Sequence, residues 1–253
     1  HRLRSEGIRS VSFLKSNIVN GEYTKLVQNG SDIVGYSYIT DGLILLRDAI
    51  LKGAYDYYYF YVDNIDHIGH VYGPESEMYR TEASTISDMI ANMFRQIPKD
   101  KLRNTLVVIT SDHGHIQVDP SKTIFLNDKR KIFSSLKSDG RYKIPPVGSP
   151  RDVFLFIKKD HLDDVLKYAK KHFQGALVDL VENIVSQQFF GPHMTGDLAL
   201  RRAGNLLIVP PRNDMIWYKL PGLRDSHMKG MHGGLSESEM LIPLVFGEAS
   251  EIF

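Results

Sequence analysis

The sequence predicts an α/β protein with a mostly parallel central sheet flanked by helices and a small α+β subdomain inserted into it. Three observations carry this expectation. Short β-rich runs alternate with segments of helical spacing up to Thr110; Pro145-Pro146 and Gly148-Ser149-Pro150 interrupt the pattern; and beyond them it starts afresh.

The first strand is expected at Ile8 to Phe13, where Val11 and Phe13 punctuate polar neighbours, followed by a looser stretch reaching Gly30. Leu43, Ile44, Leu46 and Ile50 give Asp41 to Leu51 a helical spacing, with Thr40 or Asp41 as N-cap and Gly53 as stop. The run from Tyr55 to Val62 is so dense in aromatic residues that it suits a central parallel strand. Met78, Ala83, Ile86, Met89, Ile90, Met93 and Phe94 then mark a long amphipathic helix from Ser76 to Ile97, closed by Pro98. Thr105 to Thr110 is a short buried strand. A β-α-β succession implies parallel strands with right-handed crossovers, so residues just past the strand ends meet along one edge; Asp66, His70, Asp112 and His113 hold such positions.

After the break, Asp152 to Ile157 reads as a strand, Leu162 to Phe173 as a helix, and Asn205 to Val209 and Met215 to Tyr218 as two strands joined through Pro210-Pro211. Ser236 and Glu239 have the spacing of a capping box for a short helix, and Leu241 to Phe246 reads as the last strand. The expected organisation is therefore an α/β core formed by residues 1–148 and 230–253, with residues 149–229 inserted.

Composition narrows the chemistry. The 253 residues include 31 Lys and Arg against 30 Asp and Glu, a net charge of +1, and 42% are hydrophobic. That balance argues against disorder and against nucleic acid as a structural partner. There is no cysteine, which excludes disulfides, thiolate metal sites and a cysteine nucleophile, and tilts the expected compartment toward the cytoplasm. Any metal must sit on His, Asp or Glu. The longest apolar runs, such as Val153 to Ile157, fall far short of the roughly 20 residues of a membrane-spanning helix, so no membrane partner is expected. The chain opens at His1 with neither an initiator Met nor an apolar leader, and reads as the continuation of a longer polypeptide.

Three clusters could carry metal chemistry. Asp63 with His67 and Asp66 with His70 form two overlapping Asp-x-x-x-His pairs; four-residue spacing in a helical turn places carboxylate and imidazole on one face, a donor pair suited to Zn²⁺ or Mn²⁺. A solvated turn after a strand has the same wording. Asp112 and His113 follow the second apolar strand, with Gly114 allowing an unusual backbone that turns both toward one centre. His232 stands before Gly233-Gly234, where the backbone can pass close to a ligand.

Gly69-His70-Val71-Tyr72-Gly73-Pro74 with Asp66 ahead of it, Thr110-Ser111-Asp112-His113-Gly114, and the run Gly230 to Ser236 resemble the metal-binding signatures of the alkaline phosphatase superfamily, and most nearly those of its type I phosphodiesterase/nucleotide pyrophosphatase branch. The motifs occur in the family's order, together with Gly148 to Asp152. The resemblance implies an alkaline phosphatase-like fold and two divalent ions, Zn²⁺ first and Mn²⁺ as the alternative. Asp66, His70 and His232 would hold one ion, and Asp112 and His113 would contribute to the other. It also selects His70 over the Asp63/His67 register and leaves His67 and His115 as supporting or surface residues. The implied activity is hydrolysis of phosphodiester or nucleotide pyrophosphate bonds in a small-molecule substrate, by a Thr or Ser nucleophile.

The family's opening strand, with its metal-binding Asp and nucleophile, has no counterpart here. Asp41-Gly42 follows the wrong context and starts a helix, so the nucleophile is expected upstream and this chain alone is expected to be inactive. A phosphate mutase or phosphomonoesterase shares the same ligands, and a non-catalytic metal-binding fragment is the alternative from another class. Lys99 to Arg103 and Lys129 to Lys131 read as solvated faces; Arg201-Arg202, Arg212 and Lys229 read first as surface residues, with a contact from Lys229 or Arg212 to a substrate phosphate as the alternative.

Overall fold

The computed structural model describes residues 2–191, 197–222 and 227–253. Its contacts divide the chain into two compact units: His1–Ile68, Glu77–Thr110 and Pro243–Phe253 form the first, and Gly69–Ser76 with Ser111–Ile242 form the second. The segment 149–229 lies wholly within the second, whose bounds are wider.

In the first unit β1 (Ser10–Lys15) lies between β2 (Asp32–Tyr36) and β3 (Tyr57–Phe60), parallel to both, with Val11 opposite Asp32 and Tyr58. Parallel neighbours need crossovers, and the helix Ile39–Lys52 supplies the one from β2 to β3. Its buried Ile39, Gly42, Leu43 and Leu46 fall at helical spacing and face the core that holds Val11, Phe13 and Tyr36. Gly42 sits under the stacked rings of Tyr36 and Phe60, whose centroids are 5.3 Å apart; a Cβ there would lie 2.8 Å from the Tyr36 ring. Gly53 ends the helix at φ 63°, the left-handed cap its position suggests.

Several elements depart from the sequence reading. Asp41 is not the N-cap: it stands three residues inside the helix, and its carboxylate accepts the Ser37 and Tyr38 N–H groups at 3.0 and 2.6 Å. Those backbone donors hold its carboxyl below the ordinary range. The aromatic strand β3 pairs with β1 alone among the described ladders, and β1 is the buried central strand. The helix Glu22–Val27 forms inside the stretch left without structure and β2 just beyond it, where Asp-Ile-Val-Gly-Tyr alternates too weakly to mark a strand. β4 (Leu106–Thr110) does not extend the parallel set; it pairs antiparallel with the last strand, β13 (Leu244–Glu248), Val245 opposite Ile109. Pro243 offers no N–H, and the last strand starts after it rather than at Leu241.

The second unit contains an antiparallel sheet in the order β7 (Val147–Ser149), β8 (Asp152–Leu155), β10 (Leu206–Val209), β9 (Leu177–Leu180). β10 is buried on both faces: Leu206 and Ile208 join the cluster of Leu155, Val165 and Ala169, whereas Leu207 and Val209 join Phe154, Val181 and Ile184. The helices Leu162–His172 and Val181–Ser186 supply those opposite covers, which explains a continuous apolar run in an antiparallel strand. Two short ladders complete the unit. β11 (Ile216–Trp217) runs parallel to β6 (Ile124–Phe125) rather than pairing with β10, and β12 (Gly230–Met231) runs antiparallel to β5 (Ile116–Gln117).

Candidate metal centre

The β5·β12 ladder organises the site. Met231 is opposite Ile116 and Gly230 opposite Gln117, so His232 and His115, each one residue beyond, emerge at the same end. Gly114 makes the approach to β5 possible: its N–H donates to the Glu239 carbonyl at 2.8 Å, and a Cβ there would lie 2.0 Å from the Ser238 carbonyl oxygen. His113 is carried on the same bend.

His70 arrives from the last turn of the helix Asn64–Tyr72. Its Nδ1 is 2.8 Å from the Gly230 carbonyl oxygen, and its own carbonyl accepts the Lys229 N–H at 2.8 Å. A Cβ on Gly230 would lie 2.3 Å from the Gly69 carbonyl oxygen, so glycine is what lets β12 press against this helix end. Because a carbonyl only accepts, the His70 proton resides on Nδ1, which fixes the ring's orientation and leaves Nε2 as its lone-pair nitrogen. His113 repeats the arrangement, with Nδ1 at 2.8 Å from the Gly114 carbonyl.

Four imidazoles therefore converge within the second unit. His113 and His232 stack at 3.5 Å between centroids with an interplanar angle of 10°, His70 lies 5.1 Å from His232 and 4.7 Å from His115, and His115 lies 5.5 Å from His232. Ligand atoms of His113 and His232 lie within 4.8 Å of each other, as do those of His70 and His115. Asp112 Oδ1 is 3.6 Å from His113 Nε2, close to the about 3.4 Å separating two ligands on a tetrahedral Zn²⁺ with bonds near 2.1 Å. The donor set thus fits a divalent cation of borderline softness.

The sequence-derived ligands fall as follows. His70, Asp112, His113 and His232 all belong to the second unit, with the three histidines clustered and the Asp112 side chain 73% exposed. Asp66 stands one helical turn before His70, on the same face of one helix. Asp63 pairs with Lys15 at 2.6 Å and His67 is exposed. His115, read as a supporting or surface residue, lies in the cluster itself; the signal for it is its place one residue before a strand that pairs with the one ending just before His232.

Beneath the His232 loop lies a buried ion pair that the sequence reading did not connect. Arg151 Nε and Nη2 donate to the two carboxylate oxygens of Glu239, each at 2.9 Å, with the side chains 1% and 0% exposed. Burial pushes the Glu239 carboxyl up, but hydrogen bonds from Arg151, Ser236 and the Gly234 N–H outweigh it and hold the group below its ordinary range. Asp152 goes the other way, raised by burial that the Ser149 donors only partly offset.

At the far end of the β5·β12 ladder from the histidines is a cavity of about 810 Å³, walled by Val118 and Pro120 and lined by the cations Lys122, Arg212 and Lys229 together with Asp119 and Asp214. Lys122 is paired with Asp119 at 3.7 Å. Arg201 and Arg202, by contrast, are exposed in the last turn of the helix Asp197–Ala203, where cations complement the helix dipole.

Residues 15–235 match the type I phosphodiesterase/nucleotide pyrophosphatase family. The chain belongs to that family. No curated protein sequence matches it. Among solved structures, human ectonucleotide pyrophosphatase/phosphodiesterase 5 is similar at a TM-score of 0.70 and 17% identity, over 96% of this chain and 61% of that one. The murine counterpart gives 0.70 and 16%, over 95% and 61%. Phosphonoacetate hydrolase from Sinorhizobium meliloti gives 0.60 and 14%, over 96% and 66%. These likenesses show the alkaline phosphatase-like fold, and the chain spans less than two thirds of the length of each. The family match takes in all three sequence clusters, from Asp66 to His232. Among the described residues, no helix is long and apolar enough to cross a membrane.

Proposed function

We propose that this family member is a metal-dependent hydrolase of phosphodiester or nucleotide pyrophosphate bonds, with a two-ion centre taking Zn²⁺ or, as the alternative, Mn²⁺. The observation that carries the reading is the convergence of His70, His113 and His232, two of them with Nδ1 engaged by backbone carbonyls that fix ring orientation and tautomer. His70 and His232, with Asp66 one turn before His70, would hold one ion; Asp112 and His113 would contribute to the other. Bound ions would supply Lewis acidity toward the phosphoryl oxygens and lower the pKa of an attacking hydroxyl.

The chain's own residues do the rest. Backbone carbonyls of Gly230 and Gly114 fix the imidazole tautomers, and the β5·β12 ladder fixes the spacing of His115 from His232. Arg212 and Lys229 line the neighbouring cavity and would attract a substrate's anionic group. The attacking Thr or Ser is assigned to polypeptide preceding this chain. That assignment is supported by the greater length of the structural relatives, one of which, murine ectonucleotide pyrophosphatase/phosphodiesterase 5 as an inactive variant, was solved in complex with AMP. The absence of cysteine suits a reducing compartment.

The test is a substrate panel on the polypeptide that includes the preceding segment. Hydrolysis of nucleotide diesters and pyrophosphates, abolished by chelation and restored by Zn²⁺ or Mn²⁺, is expected. Turnover of phosphoglycerate or monoesters alone would move the protein to the mutase or monoesterase branch, and absence of bound metal would refute the reading.

A further inference from the structure

Glu239 accepts five hydrogen bonds. Two come from Arg151; the other three come from the Gly234 N–H at 2.9 Å, the Ser236 N–H at 3.3 Å and the Ser236 hydroxyl at 2.6 Å. Three of the five therefore grip the loop that follows His232. The remaining Arg151 donor, Nη1, is spent on the Asp214 carbonyl. On the other side of the loop the Ser149 hydroxyl donates to the His232 carbonyl at 3.2 Å, while Ser149 Oγ accepts the Arg151 N–H at 3.1 Å.

The glycines report how tightly the loop is seated. Gly233 has φ 106°, and a Cβ there would lie 2.4 Å from Ser149 Oγ; a Cβ on Gly234 would lie 2.7 Å from the Glu239 carboxylate and 2.9 Å from the Arg151 guanidinium. The backbone on the C-terminal side of His232 is in contact with the clamp throughout. A buried ion pair is weak evidence of stabilisation, because well-packed apolar residues often replace one without loss. What apolar residues cannot replace is a set of acceptors that fixes one backbone conformation.

We propose that Arg151, Glu239 and Ser149 form a positioning clamp that sets the backbone, and through it the imidazole direction, of His232. The inference rests on the metal-centre reading for its consequence, and on the hydrogen bonds alone for its geometry. The clamp touches no ion. It acts through His232, as outlying partners of metal ligands do when their loss lowers metal affinity about 10- to 100-fold.

The test is Zn²⁺ titration, with long-range ¹H–¹⁵N spectra of the histidine rings, of the wild-type chain and of Arg151→Gln, Glu239→Gln, Ser149→Ala and the double variant Arg151→Met/Glu239→Leu. The single charge variants are expected to bind Zn²⁺ about 10- to 100-fold more weakly. In them the His232 ring signals should change most, with smaller changes at His113, which stacks on it at 3.5 Å, and at His70, 5.1 Å away. The double variant separates positioning from packing: it should regain thermal stability and still bind weakly, because Gly234 and Ser236 lose their acceptor. Should the charge variants not fold, the double variant and Ser149→Ala decide. Wild-type affinity and unchanged His232 signals in folded double variant and Ser149→Ala would overturn the clamp. If the wild-type chain binds no Zn²⁺, the metal reading fails separately, and the ion-free His232 spectra of the same variants still decide the clamp.

Discussion

His70 Nδ1 donates to the carbonyl of Gly230, and His232 lies two residues further along that strand, so one 2.8 Å hydrogen bond couples two residues separated by 162 positions. The helix end and the strand end are thereby a single object. Disturbing either moves both donors of the same proposed ion.

Gly230→Ala tests that coupling. The new methyl would lie 2.3 Å from the Gly69 carbonyl oxygen and 2.9 Å from Pro74 Cδ, with backbone on one side, so strand and helix must separate. Overpacking of this kind costs about 1–3 kcal/mol. The expected outcome is a lower Tm together with at least tenfold weaker Zn²⁺ binding, read by calorimetry.

Arg212→Gln and Lys229→Gln remove two of the three cations that line the cavity beside the ladder, the third, Lys122, being paired with Asp119. Each is expected to raise KM for an anionic diester about tenfold, the loss of roughly one charge-assisted hydrogen bond, while leaving metal content at the wild-type level. A fall in metal content instead would place these residues in support of the histidines.

Acid stability should depend on Glu239. Its folded pKa is depressed, so its contribution is fully present above the ordinary carboxylate value of 4.5 and is lost as pH falls through the folded value. Tm measured from pH 6 to pH 3 is expected to drop in wild type more steeply than in Glu239→Gln, which starts lower.

The alkaline limb belongs to Tyr36. Its hydroxyl donates to the Tyr61 carbonyl at 2.5 Å, and burial, with the nearby Asp63 charge, raises its pKa from 10.0 to about 12. A raised folded pKa stabilises the protonated form, so the contribution is complete below pH 10 and disappears as pH rises toward 12. Tyr36→Phe should flatten the loss of stability over that window.

Much of the first unit was legible because its helices advertise themselves: the Ile39–Lys52 stripe and its Gly53 cap follow from spacing and from the one residue that adopts left-handed backbone freely. Strand partners were not. Leu106–Thr110 looks the same whether a parallel or an antiparallel neighbour covers it, and only the ladder with Leu244–Glu248 decides. The histidine cluster was readable from three motifs in register, but His115 was not, since its position depends on the pairing of two strands of two residues each. Arg151 and Glu239 stand 88 positions apart, and nothing local in either neighbourhood names the other.

The most direct measurement is zinc-edge X-ray absorption on the chain after Zn²⁺ loading and gel filtration, compared with His70→Ala and His232→Ala. Retained zinc with imidazole nitrogens at about 2.0 Å, and a loss of imidazole scattering in each variant, is the predicted result. A chain that retains no zinc, or variants whose zinc environment matches wild type, would contradict the convergence of these histidines on a common ion.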